Sequence, residues 1–345
     1  MFIQFTEIIK EAWQHYDASR EIKSISDISA KVSTNHVYKA VFTDKSFVIA
    51  KLSYFGQYEH FVEDHTIINV LANNLPAPYE NFLSRSLMKG NTLFSYRFRN
   101  KLIDAWVVFY RPIKIDRKLP RRLEEKQIIT LGRQFAQLHQ VCHRIRNTLP
   151  PSSKTLQSDI EHLLRLLDSD FGRYEHRMNE AVIREQCNSF LENSEKYGFD
   201  EWARIPVFVD WNIGNFSVTR SYKLFSRWDY DWFRMSSRVL DFYFLSRIVS
   251  DVGDRTVFTY NIDPLMEDRF LLFLKEYHQV YPLTEQEIRF LGEVYRFFIL
   301  NYVIKDGRYF FHEIYATKLQ AEAYQSYFPS VDKFDPEPIL RELNL

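Results

Sequence analysis

Apolar positions recur with two different periods along the chain, and the switch between them sets its organisation. Near the start, Ile8, Ile9, Ala12, Trp13 and Tyr16 share one face at helical spacing. From Val37 to Leu52 the pattern becomes two extended runs, Val37–Phe42 and Phe47–Leu52. The polar stretch Thr43–Ser46 between them predicts an antiparallel hairpin. A helix is predicted over Tyr58–Asn73, with Phe61, Ile67, Ile68 and Leu71 apolar and Pro76 and Pro78 stopping it. Thr92–Arg97 and Asp104–Tyr110 read as further strands. After Leu123 the helical period takes over. Ile128, Leu131, Phe135 and Leu138 trace one face of a helix ending near His139 to His143. Further helices are predicted over Ser158–Asp168, Arg177–Lys196, Leu240–Ser250, Pro264–Val280, Thr284–Val303 and Phe310–Tyr327. Short extended runs interrupt them at Ile205–Asp210, Phe216–Thr219 and Lys223–Trp228. A β-rich part with one helix, then a helical part broken by a β-hairpin, predicts α+β in two lobes rather than a doubly wound sheet.

Composition removes some functional classes without adding to that outline. The 345 residues are 46% hydrophobic and 26% charged, ordinary for a globular protein with room for two lobes. Aromatic residues reach 17%, enough for aromatic-packed cores or a groove for a flat or cationic ligand. Net charge is zero, but residues 1–150 carry 22 Lys and Arg against 14 Asp and Glu, leaving 23 against 31. That asymmetry suits an anionic ligand in the first half and a cationic one in the second, and chance patterning of solvated faces accounts for it equally. The basic run Lys114–Arg122 lacks interleaved aromatics and runs into Glu124 and Glu125, so it reads as a solvated loop and nucleic acid is not an expected partner. No stretch approaches the roughly 20 apolar residues of a membrane span. The start, Met1 to Glu7, shows no basic segment followed by an apolar run. Cys142 and Cys187 lack metal-ligand spacing and read as thiols in a reducing compartment. A cytoplasmic protein with no membrane partner is expected.

The chemistry concentrates in Val207-Phe208-Val209-Asp210-Trp211-Asn212-Ile213-Gly214-Asn215-Phe216 and in Phe225-Ser226-Arg227-Trp228-Asp229-Tyr230-Asp231. A carboxylate leaves one extended run, an amide follows five residues on, and a second carboxylate comes fourteen residues later. Pairing of Phe216–Thr219 with Lys223–Trp228 would bring Asn215 beside Asp229. Two oxygen ligands would then suit Mg²⁺, with Asp210 near an incoming hydroxyl. Phosphoryl transfer needs mainly such positioning and charge neutralisation.

At these residues the sequence resembles the aminoglycoside phosphotransferase and choline kinase-like families, relatives of the protein kinases. Their catalytic loop often reads His-Gly-Asp-x-x-x-x-Asn, and their metal strand ends in Ile-Asp-Trp-Glu or similar. The resemblance assigns Asp210 as the catalytic aspartate and Asn215 and Asp229 as metal ligands, with Asp231 and Asp241 in support. It extends upstream to Asn35-His36-Val37-Tyr38-Lys39, similar to the exit of a phosphate loop, with Ser33 and Asn35 toward the nucleotide. Lys51 matches the strand lysine that holds ATP phosphates, and a glutamate of the next helix, Glu63 or else Glu59, is its implied partner. Asp104–Pro112 would be the hinge strand facing adenine, and Leu131–His139 resembles a family helix, in which His139 reads as hydrogen-bonded. The implied fold is a bilobal protein-kinase-like α+β fold. Residues 1–112 would form a small antiparallel sheet with one helix, and residues 113–345 a mainly helical lobe carrying the catalytic and metal-binding loops. ATP and Mg²⁺ are the implied cofactors, and a small molecule with a hydroxyl is the implied partner.

Two departures keep other readings open. Phe208-Val209 replaces His-Gly before the catalytic aspartate, and Ala30–Asn35 contains no glycine, so side chains would have to stand in for close-packed backbone amides. Both would also be expected of a catalytically silent nucleotide-binding protein. A protein kinase is a weaker alternative, since Asp241 follows Asp229 by only twelve positions, too few for a long peptide-binding loop. Trp228–Phe233 reads as packing around the metal strand. An acidic, Tyr- and Trp-rich second half favours a cationic or amine-bearing alcohol, such as an aminoglycoside, a choline-like compound or an amino alcohol.

Overall fold

Val37–Phe42 and Phe47–Leu52 fold as the expected hairpin, and three further strands complete an antiparallel sheet. A computed structural model describes residues 4–29, 35–253 and 259–345. The chain divides into two units, the first comprising Met1–Lys114, Thr148–Ser152 and Ser226–Asp231 and the second the remainder.

In the first unit, helix α1 (Phe5–Tyr16) precedes strands β1 (Ile22–Asp27), β2 (Asn35–Phe42) and β3 (Phe47–Ser53) and helix α2 (Tyr58–Asn74). The short ribbon β4 (Met88–Lys89) and β5 (Thr92–Leu93) leads to β6 (Ser95–Arg99) and β7 (Asp104–Tyr110). The main sheet runs in the order β1-β2-β3-β7-β6. Alternation then decides what each face meets. Ala40, Ala50, Leu52, Val107 and Phe109 form a core with Ile8, Ile9, Ala12 and Trp13 of α1. Trp13 packs edge-on to Phe109, with ring centroids 5.2 Å apart. Trp106, of opposite parity, meets Phe61 of α2. Strand β1 was not predicted: its polar residues Lys23, Ser24 and Ser26 hide the alternation, and pairing with β2 holds it instead.

The second unit is mainly helical. Helices α3 (Glu125–Ile145), α4 (Leu156–Leu167), α5 (Asp170–His176) and α6 (Glu180–Lys196) come first. Strands β8 (Ile205–Val207), β9 (Phe216–Val218), β10 (Leu224–Arg227), whose last two residues are counted with the first unit, and β11 (Arg234–Ser236) follow, then α7 (Phe242–Val249) and α8 (Asp268–Val280). β9 and β10 pair, as do β8 and β11. α4 begins with a capping box, the Ser158 N–H donating to Thr155 Oγ1 at 3.0 Å. The helix expected over Arg177–Lys196 is shorter, and α5 ahead of it was missed, because Phe171 and Tyr174 face solvent and give no buried stripe. The helix expected over Thr284–Val303 divides into α9 (Glu285–Arg289), α10 (Leu291–Phe298) and a π-helical turn over Ile299–Lys305. Among the described residues no helix is long and apolar enough to cross a membrane.

Candidate active site

Lys51 sits inside β3, opposite Val37 of β2 and Val108 of β7. Its neighbours Ala50 and Leu52 belong to the α1-side core, so alternation turns Lys51 to the other face of the sheet. There it is 4% exposed, and a lysine so buried keeps its charge only with partners. Two carboxylates supply them: Asp229 Oδ1 lies 3.1 Å from Nζ, and Asp231 Oδ1 pairs with the same ammonium.

The segment bearing those carboxylates is pinned by its backbone. The Arg227 N–H donates to the Phe82 carbonyl at 2.6 Å, and the Ser84 N–H donates to the Arg227 carbonyl at 3.0 Å. Tyr230 Oη donates to the Ser84 carbonyl, also at 3.0 Å. Burial pushes the Tyr230 hydroxyl well above its ordinary range, so it stays a donor. Asp229 itself adopts a left-handed backbone, φ 69°, which Asp tolerates better than most residues.

In the second unit, β8 feeds the loop that carries Asp210. Asp210 Oδ1 accepts the Asn212 N–H at 3.1 Å, and Oδ2 accepts from Asn215 Nδ2 at 2.8 Å. The Asn215 N–H closes a turn onto the Asn212 carbonyl at 2.8 Å. Trp211, fully buried, packs edge-on to Phe135 of α3 at 4.5 Å and anchors the loop. Val209 stands at φ 61°, a conformation rare for a β-branched residue. Asp241 holds that backbone: its Oδ1 accepts the N–H of Phe208 at 3.1 Å and of Val209 at 2.6 Å. The other oxygen, Oδ2, lies 2.9 Å from His139 Nε2. Beside the loop, burial pushes the Tyr243 hydroxyl up to about 12; Arg247 opposes the shift and the Asp210 charge adds to it.

The residues singled out in the sequence fall in several places. Lys51, Asp229 and Asp231 come together in the first unit, and Asp210, Asn215 and Asp241 in the second. Glu63 accepts from Ser152 Oγ at 2.7 Å, and Glu59 pairs with Arg97 at 3.3 Å, so the charge partners seen at Lys51 are the two aspartates. Asn35 is buried at the start of β2. Ser33 lies outside the described residues. The anchoring role of Arg227 carried no signal in the sequence, because an arginine beside a polar turn looks like surface, whereas Tyr230 lies in the run Trp228–Phe233 expected to pack around the metal strand and is buried there.

No family model matches the chain, and neither does any curated protein. Solved structures do. An amicoumacin kinase in complex with AMP-PNP, Ca²⁺ and Ami has a TM-score of 0.63 at 11% identity, covering 97% of this chain and 100% of that one. A microcompartment-associated aminopropanol kinase has a TM-score of 0.61 at 17% identity, covering 94% and 98%. The gentamicin complex of APH(2″)-IIa has a TM-score of 0.57 at 11% identity, covering 98% and 99%. The chain has the fold of these kinases. The α+β class expected from the order of elements and the protein-kinase-like fold implied by the resemblance are therefore what it adopts, over nearly its whole length.

Proposed function

We propose that this chain is an ATP-dependent phosphotransferase that moves the γ-phosphoryl group to a hydroxyl of a small molecule. The observation that carries the reading is the buried Lys51 ammonium held by Asp229 and Asp231. A fold shared with small-molecule kinases supports it. Lys51, with Asn35, Ser33 and Glu63, serves the nucleotide, and Asp104–Pro112 serves adenine. The first 112 residues then form the nucleotide lobe and residues 113–345 the lobe of catalysis and acceptor.

The donor set suits Mg²⁺. Asn215 uses its Nδ2 on Asp210, which leaves its amide oxygen for a cation, and Asp229 already attracts a positive charge in Lys51. Among the described residues no three His, Cys, Asp or Glu are arranged to hold a metal. The ion would therefore take ligands from phosphate as well as from Asn215 and Asp229, as Mg²⁺ commonly does. When bound, it would neutralise charge on the phosphates. Asp210 orients the acceptor hydroxyl and takes its proton. Its carboxylate is aimed by the Asn212 N–H and the Asn215 amide. Asp241 and Asp231 support the two loops.

Phe208-Val209 does not by itself silence the site. Val209 takes the left-handed conformation that glycine adopts freely, so the loop reaches its geometry without the glycine. For the acceptor, an amine-bearing alcohol agrees with the acidic second half of the chain and with neighbours named for aminopropanol and gentamicin. Two free, buried thiols, Cys142 and Cys187, suit a cytoplasmic protein.

Incubation with MgATP and a panel of amino alcohols, aminoglycosides and sugars, followed by phosphorus NMR, tests the proposal. A phosphorylated product is expected, with turnover falling by roughly 10³-fold in Asp210→Asn while ATP affinity holds. Wild-type turnover in that variant would overturn the assignment. Tight MgATP binding with no product from any acceptor would indicate a silent nucleotide-binding protein.

A further inference from the structure

Helix α8 belongs to the part of the chain in which no motif was found, yet it reaches the loop that carries Asp210. Tyr277 of α8 is fully buried, and its Oη lies 2.7 Å from His139 Nδ1. His139 Nε2 in turn lies 2.9 Å from Asp241 Oδ2, and Asp241 Oδ1 accepts the N–H groups of Phe208 and Val209. The protons along this chain of contacts are constrained. An ionised carboxylate only accepts, so His139 must carry its proton on Nε2. In the neutral ring Nδ1 is then the acceptor, and the Tyr277 hydroxyl must donate to it. Burial pushes that hydroxyl well above its ordinary range, so the donor is always present.

Packing sets the reach of the hydroxyl. A Cβ placed on Gly132 of α3 would fall 2.7 Å from the Phe273 carbonyl and 3.0 Å from Glu276 Cβ. The two helix backbones approach that closely only because position 132 has no side chain. One turn further on the pair repeats: Tyr281, the residue that follows α8, has its Oη 2.9 Å from Nδ1 of His143 on α3. This outer pair is half-buried, and the Arg238 guanidinium, bound to Glu287, lies over both tyrosines, 3.8 Å from the Tyr281 ring centroid and 5.6 Å from that of Tyr277. No contact of the outer pair reaches Asp241 among those described. It has the same chemistry one turn away without the loop.

We propose that Tyr277 is a positioning residue for the catalytic loop: by donating to His139 Nδ1 it fixes the Nε2–H tautomer, which secures Asp241 against the backbone of Phe208 and Val209 and so aims Asp210. The proposal rests on the reading of Asp210 as the catalytic residue only for its effect on turnover. Its structural step stands apart from that reading and is measured apart from it.

Tyr277→Phe and Tyr281→Phe each remove one hydroxyl and one hydrogen bond, so a general loss of packing would affect both alike. The imidazole nitrogens of His139, read by NMR of ¹⁵N-histidine-labelled protein, report the tautomer. Amide hydrogen exchange at Val209 reports the loop. In wild type and in Tyr281→Phe, His139 is expected as Nε2–H with Val209 protected. In Tyr277→Phe a mixture of tautomers is expected, with exchange at Val209 faster by about tenfold, the effect of losing one hydrogen bond. Turnover should fall by a similar factor with the KM for ATP unchanged. A retained Nε2–H tautomer and unchanged Val209 exchange in Tyr277→Phe would overturn the proposal, as would equal effects in the two variants. If exchange responds but no variant turns over ATP, the positioning step survives and the phosphotransferase reading fails.

Discussion

Lys51 and Asp229, 178 residues apart in the chain, meet as an ion pair of 3.1 Å in which the lysine side chain is 5% exposed and the aspartate 34%. Removing a charge from water costs several kcal/mol, and a protein keeps such a pair only where geometry repays the loss or function requires it. The lysine is in the middle of a strand whose adjacent residues face a hydrocarbon core, so its charge could have been replaced by an apolar side chain. That it was not is the physical reason to treat the site as functional.

Lys51→Met should reveal that role twice. Removing the ammonium leaves Asp229 and Asp231 without their shared cation, and the free energy of unfolding should fall by about 3 kcal/mol in urea titration. ATP affinity by calorimetry should weaken by at least about tenfold, one lost charge-assisted contact. A change below about 0.5 kcal/mol, with affinity intact, would mark Lys51 as ornamental.

At Val209 the ordinary ranking of alanine and glycine should invert. Either replacement loses the same buried isopropyl group, but alanine keeps the cost of a side chain at φ 61° and glycine does not. Val209→Gly should therefore be more stable than Val209→Ala by about 1 kcal/mol in thermal or chemical unfolding. If Ala proved the more stable, the left-handed backbone would not persist in solution.

Gly132→Ala opposes two effects of known size. Helix propensity favours alanine by about 1 kcal/mol, whereas the new methyl would meet the Phe273 carbonyl at 2.7 Å. Backbone cannot yield as a flexible side chain can, and overpacking costs about 1–3 kcal/mol. Net destabilisation is expected, with increased hydrogen exchange at the facing turn of α8. A stabilised variant would show that the two helices can separate freely.

Acid stability should carry the signature of Asp306. Burial raises its carboxyl to about 6 from 3.8, with Asp159 adding to the rise and Lys305, 3.5 Å away, opposing it. Because the folded state holds the proton more tightly than the unfolded state, this group favours folding at low pH. That contribution is lost as pH rises from about 4 to 6. Asp306→Asn lacks the loss, so its stability relative to wild type should grow over that window, by no more than about 3 kcal/mol, and stay level above it. A gap that does not change between pH 4 and 7 would contradict the raised carboxyl.

Much of the fold could be read from the sequence because period and parity are local properties. Helix α3 shows apolar residues at a spacing that only a helix can bury on one side, and the hairpin Val37–Leu52 and strand β7 are short apolar runs bounded by polar residues, too short for helices. The spacing of Asp210, Asn215 and Asp229 likewise singled out the loops to which the proposed chemistry is assigned. Elements whose apolar residues stay exposed, such as α5, or whose partners supply the order, such as β1, left no such trace.

What the sequence alone determined was the change from a β-rich first part to a helical second part broken by a β-hairpin, and the short loops bearing Asp210 and Asp229. Only the tertiary structure decided who pairs with whom. It gave Lys51 two aspartates where a helix glutamate was expected, and it joined Tyr277, His139 and Asp241 behind Val209. The reason is general: a periodic pattern reports which side of its own element a residue faces. A hydrogen bond between residues 100 or more positions apart depends on where whole elements come to rest.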